Sequence, residues 1–211
     1  MAFGGWPEEA LTFYEGLEAD NSKSYWTSHK AVYESVVLAP MTELLEEVTA
    51  ELGDALGGGE PKVFRPYRDI RFSPDKTPYK THIGATIGHA AYVQFSADGL
   101  GTGAGMWQFS QEGLAQYRAA VAGPVGAELE AAIATMEKAG IEIHGHGTLK
   151  SAPRGFPADH PRIGLLRHKG VTSWQHWTPG PWLATAEAKD RVLTFLQASV
   201  PLVSWLTANV D

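Results

Sequence analysis

Along the first third of the chain, apolar side chains return every three or four positions. Pro7 with Glu8 and Glu9 suits a helix start, and Leu11, Tyr14 and Leu17 then fall on one face. Asp20 or Asn21 is the predicted cap of a second helix, with Trp26, His29 or Lys30, Tyr33 and Val37 at helical steps. Pro40 is expected to end or kink that helix. Met41, Leu44, Leu45, Val48 and Leu52 carry the stripe on to Gly53, and the glycines at 57–59 mark a loop.

From residue 62 to 108 the period becomes two. Ile83, Ala85 and Ile87 alternate with smaller or polar residues, and residues 92–95 read as a strand. Asp98 and Gly99 read as a tight turn, and residues 102–109 as the returning strand. Ser110 is a good cap for a helix over 111–122. Pro124 opens another to about Lys138, closed by Gly140. Short strands are predicted at 141–146 and 171–177, a helix over 183–197 and a last helix after Pro201. Helices, then a meander, then mixed elements is α+β order. The pattern predicts one domain with an antiparallel sheet packed by N-terminal and C-terminal helices.

Composition narrows the class. The 211 residues are 44% hydrophobic and 19% charged, as in a folded globular chain, with no cysteine for disulfides or thiolate chemistry. The N-terminus lacks the pattern of a secretory signal, and a cytoplasmic protein is the simplest expectation. Residues 192–210 are uncharged, but Pro201 and interspersed Thr, Ser, Gln and Asn suit a core helix better than a membrane span.

Charge placement matters more than the net −7. Residues 1–61 hold two Lys against twelve Asp or Glu, a net of −10. Residues 62–80 hold six Lys or Arg against two Asp, a net of +4, and residues 150–169 are also at +4. An acidic chain with local basic windows disfavours a general nucleic-acid coat and allows an anion site. In extended conformation, Val63, Arg65, Tyr67, Asp69 and Arg71 would share one face, with Phe64, Ile70 and Phe72 on the core side. Guanidiniums grip carboxylate or phosphate through paired hydrogen bonds, and a neighbouring Asp fixes their orientation. Two prolines then stiffen the loop that presents Lys76, Tyr79 and Lys80, and His82 follows.

The string carried by Arg65, Tyr67, Arg68, Asp69, Arg71, Phe72, Ser73, Asp75, Lys76, Thr77, Pro78, Tyr79 and Lys80 resembles the conserved-hypothetical family catalogued as domain of unknown function 2461. Gly105 with Trp107, and Arg154, Gly155, Asp159, His160 and Pro161, fit the same pattern. The resemblance runs from about Phe13 to Leu206 and implies a shared fold and site without an activity.

The site predicted from these residues binds a small anionic ligand through Arg65, Arg68, Arg71, Lys76 and Lys80, with Trp107 and Arg154 beside them. Asp69 would orient a guanidinium, and Tyr67, Tyr79 or His82 would move a proton if the protein is an enzyme. No reaction and no cofactor is implied. Two other readings stay open: a module for a nucleic-acid end or an acidic protein segment, and a structural ion-pair network with the acidic helices. His144 and His146 have a spacing that metal ligands use, with His82, His89 or His160 as a third. No metal motif supports them, and no metal is assigned. Asp159 reads as a helix cap. The alternating glycines at 101, 103 and 105 allow close approach to one strand face. The tryptophans at 174–182 are either core packing or a stacking surface.

Overall fold

The computed structural model describes residues 2–210. Its centre is a six-stranded, wholly antiparallel sheet in the order β1-β2-β3-β4-β6-β5. The strands are β1 Lys62–Val63, β2 His82–Ile87, β3 Ala91–Ser96, β4 Gly99–Met106, β5 Glu142–His146 and β6 Gly170–Trp177. Helices α1 Glu8–Ala19, α2 Lys23–Val32 and α3 Ala39–Leu52 precede the sheet; α4 Gln111–Ala122, α5 Gly126–Lys138 and the short α6 Ile163–Leu166 interrupt it, and α7 Glu187–Asn209 follows. This is the predicted α+β arrangement.

The strand alternation decides which face the helices cover. Ile83, Ala85, Val93, Phe95, Leu100, Ala104 and Val171 are buried, and with Leu17, Leu44, Leu196 and Leu206 they form one connected core. α7 is long and apolar enough to cross a membrane by length and composition, yet its apolar side lies in this core, with Val192, Leu196 and Val203 buried. Burial of a Leu or Val side chain contributes about 1.5–3 kcal/mol, which accounts for where this helix sits. Ser173 and Ser199 meet inside, oxygen to oxygen at 3.0 Å, and each also donates to or shares a backbone carbonyl. No buried hydroxyl is left alone there.

Neither Pro40 nor Pro201 ends its helix. Lys23 to Leu52 is one continuous helix, because a π-helical turn, Tyr33–Leu38, comes just before Pro40. Ala39 donates to the carbonyl of Glu34, five residues back, and this wider turn absorbs the missing N–H of Pro40. Pro201 likewise sits inside α7 without ending it. The cap of α2 is Ser22, whose hydroxyl accepts from the Tyr25 N–H at 3.1 Å. Asp159 caps nothing: α6 begins at Ile163, and His160 Nδ1 instead accepts from the Arg162 N–H at 3.0 Å.

Candidate functional site

Residues 64–81 form an arm, an irregular extension of the β1–β2 ladder. The Phe64 N–H donates to Gly84, the Lys80 N–H to Pro66 and the Arg68 N–H to Pro78, all at 2.8–2.9 Å. Between the Phe64–Gly84 contact and the Tyr67–Tyr79 bridge, one strand advances three residues and the other five. The two extra residues break the alternation that would put all the cations on one face. Phe72, expected in the core, is 93% exposed at the arm's tip, and Ile70 is only half-buried.

The arm is fastened to the helices by aromatic packing and one side-chain amide. Tyr79 is buried and stacks on Trp26 of α2, ring centroids 4.6 Å apart and 12° from parallel. Asn21 donates to the Tyr79 carbonyl at 3.1 Å and accepts its N–H at 3.0 Å, as a neighbouring strand would. Tyr67 stays 49% exposed beside them, 5.4 Å from Tyr79 between centroids.

The charges pair mostly within the arm rather than with the acidic helices. Arg71 makes a two-pronged contact with Asp69, Nε at 2.9 Å and Nη2 at 2.7 Å. That contact and the Arg71 N–H hold the Asp69 carboxyl below its ordinary range. Arg68 Nη1 bonds Asp75 and the Thr77 hydroxyl. The Thr77 N–H, Arg68 and the Thr77 hydroxyl together pull Asp75 down to about 2. Lys76 Nζ donates to the Ile70 carbonyl at 2.9 Å. Arg65 has no hydrogen bond or ion pair among the described residues.

Of the predicted residues, Arg68, Tyr79, Lys80 and His82 line one cleft, a cavity of about 390 Å³ between the arm and the end of α1. Glu18, Asn21, Asp75, Thr77 and Thr81 complete it. Tyr67, Arg65, Asp69, Arg71, Lys76 and Arg154 do not line it. Trp107 belongs to a separate place, 70% exposed and packed on His146 with centroids 3.8 Å apart.

Within the cleft, Lys80 has no carboxylate in ion-pair reach among the described residues, and its Nζ stands 5.4 Å over the Phe64 ring. Burial, then the charge of Lys80, lowers the pKa of His82, so the imidazole is neutral at pH 7. Glu18, on the opposite wall, is raised by partial desolvation, Asp98 and Glu15 in that order. The pKa of Tyr79 is also raised, first by desolvation and then by Tyr67, which leaves a phenol poorly suited to losing a proton at neutral pH. Glu18 and Asn21 were missed by sequence reasoning. Glu18 reads as an ordinary acid on the polar side of α1, and Asn21 as a cap, so neither carries a local signal.

The uncovered face of the sheet holds a larger cavity, about 710 Å³, lined among others by Tyr92, Gln94, Gly103, Trp107, Thr172 and Trp174. The Trp174 ring lies on the glycine strand: a Cβ at Gly101 or Gly103 would stand 2.7 or 2.8 Å from it. His144 Nε2 is 3.2 Å from Glu142 and His146 Nε2 is 2.7 Å from the Thr172 hydroxyl. Among the described residues, no group of three or more His, Cys, Asp or Glu is placed to hold a metal ion.

Fold and site define a class: an α+β protein with one bare sheet face and a basic arm pinned to its N-terminal helices. The chain belongs to the conserved hypothetical protein family DUF2461, which matches residues 9–205. No curated protein and no solved structure matches it.

Proposed function

We propose that the protein binds a small phosphate- or carboxylate-bearing anion in the cleft between the arm and α1. The observation that carries this is Lys80, which lines the cleft with Arg68 and, among the described residues, has no carboxylate within ion-pair distance of its ammonium. Arg68 stands beside it with only Nη1 engaged; among the described residues its Nε and Nη2 have no partner. Asp75 and Thr77 fix that guanidinium before any ligand arrives, which lowers the ordering cost of binding. His82, neutral in the empty cleft, gains a reason to take up a proton when an anion binds. No reaction is assigned, and the residues support binding ahead of catalysis.

A thermal-shift series tests the reading. Sulfate, pyrophosphate, sugar phosphates and dicarboxylates are expected to stabilise the wild type and to lose that effect in Lys80→Ala. Equal stabilisation of both proteins would refute the cleft as the site.

A second reading is supported by Phe72, a nearly bare ring at the tip with the Arg71 guanidinium 5.9 Å from its centroid. In it the arm docks on a nucleic-acid end or an acidic protein segment. Affinity that falls steeply with salt and is lost in Phe72→Ser favours this reading over the cleft.

A further inference from the structure

Lys80 lines the cleft, and its ammonium also stands over Phe64, next to the Tyr92 ring of the larger cavity. The Phe64 ring under the Lys80 ammonium lies 6.2 Å from the Tyr92 ring, which lies 6.4 Å from Trp174 between centroids. Tyr92 and Trp174 are within 25° of parallel. Both rings lie flat because glycines sit beneath them, Gly84 under Tyr92 and Gly101 with Gly103 under Trp174. Each is half-buried, and both line the larger cavity. A continuous aromatic floor therefore leads from the cation of the arm into the larger cavity of the bare sheet face.

Charge along the sheet has a direction. The strand register puts Lys62, Thr86, Tyr92, Gly103, Trp174 and Glu142 in one cross-strand row. Lys62 and, over Phe64, Lys80 stand at one end and the Glu142 carboxylate at the other. Such a row matches a molecule with an anionic head and an uncharged planar body. It does not match a strand with a phosphate at every step, whose later phosphates would meet Glu142 on a chain of net charge −7.

We infer that the ligand is of the nucleoside-phosphate type, its phosphate at Lys80 and Arg68 and its planar ring stacked on Tyr92 and Trp174. The inference rests on the anion reading of the cleft. Gln94, whose Oε1 is 3.2 Å from the Tyr92 hydroxyl, and Thr172 supply polar groups at the rim of the floor. Stacking of a base on an aromatic side chain is worth about 1–3 kcal/mol.

Calorimetric titration with pyrophosphate and adenosine 5′-diphosphate separates the two ideas. In the wild type the nucleotide should bind roughly tenfold to a hundredfold tighter than pyrophosphate, the equivalent of that stacking. Tyr92→Leu and Trp174→Leu, which keep apolar bulk on the glycines, should bring the nucleotide down to the pyrophosphate level and leave pyrophosphate unchanged. Lys80→Ala should weaken both. Circular dichroism checks that each variant is folded, and if Trp174→Leu is not, Tyr92→Leu alone decides. Equal affinities in the wild type, or a nucleotide advantage that survives Tyr92→Leu, would overturn the inference while the anion site stands. Failure of both probes to bind would remove the anion reading and this one with it. Tighter binding of oligothymidylate than of the nucleotide would overturn it in favour of a single-strand surface.

Discussion

Asn21 and Tyr79 are 58 residues apart and exchange two hydrogen bonds, the Asn21 amide donating to the Tyr79 carbonyl and accepting its N–H. A side chain here does the work of an edge strand. It holds the basic arm where Lys80 and His82 line the cleft beside α1. Asn21→Ala removes both bonds and leaves a partly buried N–H and carbonyl unmatched, at an expected cost of about 1–3 kcal/mol. Denaturant unfolding reads the loss. Faster hydrogen exchange at the Tyr79 amide is the local signature, and anion affinity should fall with it.

Phe72 offers the opposite case. Its ring is 93% exposed and touches the core nowhere. Phe72→Ser is expected to change unfolding free energy by less than about 0.5 kcal/mol, as surface substitutions do. A loss of several times that would mean the arm's tip packs against something.

Glu18 opposes the proposed ligand across the cleft. Its carboxyl already titrates above the ordinary range, through desolvation, Asp98 and Glu15. Glu18→Gln is expected to tighten sulfate binding several-fold at pH 7.5 by removing a like charge. Unchanged affinity in a calorimetric titration would mean that sulfate binds elsewhere.

pH dependence follows from His82. Its folded pKa lies below its unfolded value, so its contribution to stability is present above about 6.5 and is lost as pH falls through the folded value. Anion binding runs the other way, because an anion stabilises the imidazolium. Sulfate keeps its charge across this range, and its affinity should rise as pH falls from 8 to 5, with protons taken up on binding. His82→Gln should flatten that rise, and in Glu18→Gln only the part due to His82 should remain.

The legible parts of this molecule were those set by local chemistry. The Ser110 hydroxyl accepts from the Gly113 N–H at 2.9 Å and opens α4 where the sequence predicts it. The alternation at Ile83, Ala85 and Ile87 gives β2, and the turn before Gly99 gives β3 and β4. The alternating glycines of β4 signal a close approach, though nothing in the sequence says that Trp174 makes it. What stayed hidden depends on long-range partners or on a broken period. The extra residues in the arm scatter cations that a regular strand would align. The Asn21 clamp has no local mark, and neither has the π-turn that carries the helix on to Pro40. Trp174 and Trp177 are an odd number of residues apart, so the strand splits them between the two faces. Trp177 meets Phe195 in the helical layer and Trp174 lies on the bare side.

The central claim is that Lys80, with Arg68, holds an anion in the cleft while the outer cations of the arm do not. Calorimetric titration of pyrophosphate into wild type, Lys80→Ala and Arg71→Ala tests it most directly. Wild type and Arg71→Ala should bind alike and Lys80→Ala at least tenfold more weakly. Loss of binding in Arg71→Ala with Lys80→Ala unaffected would contradict the account.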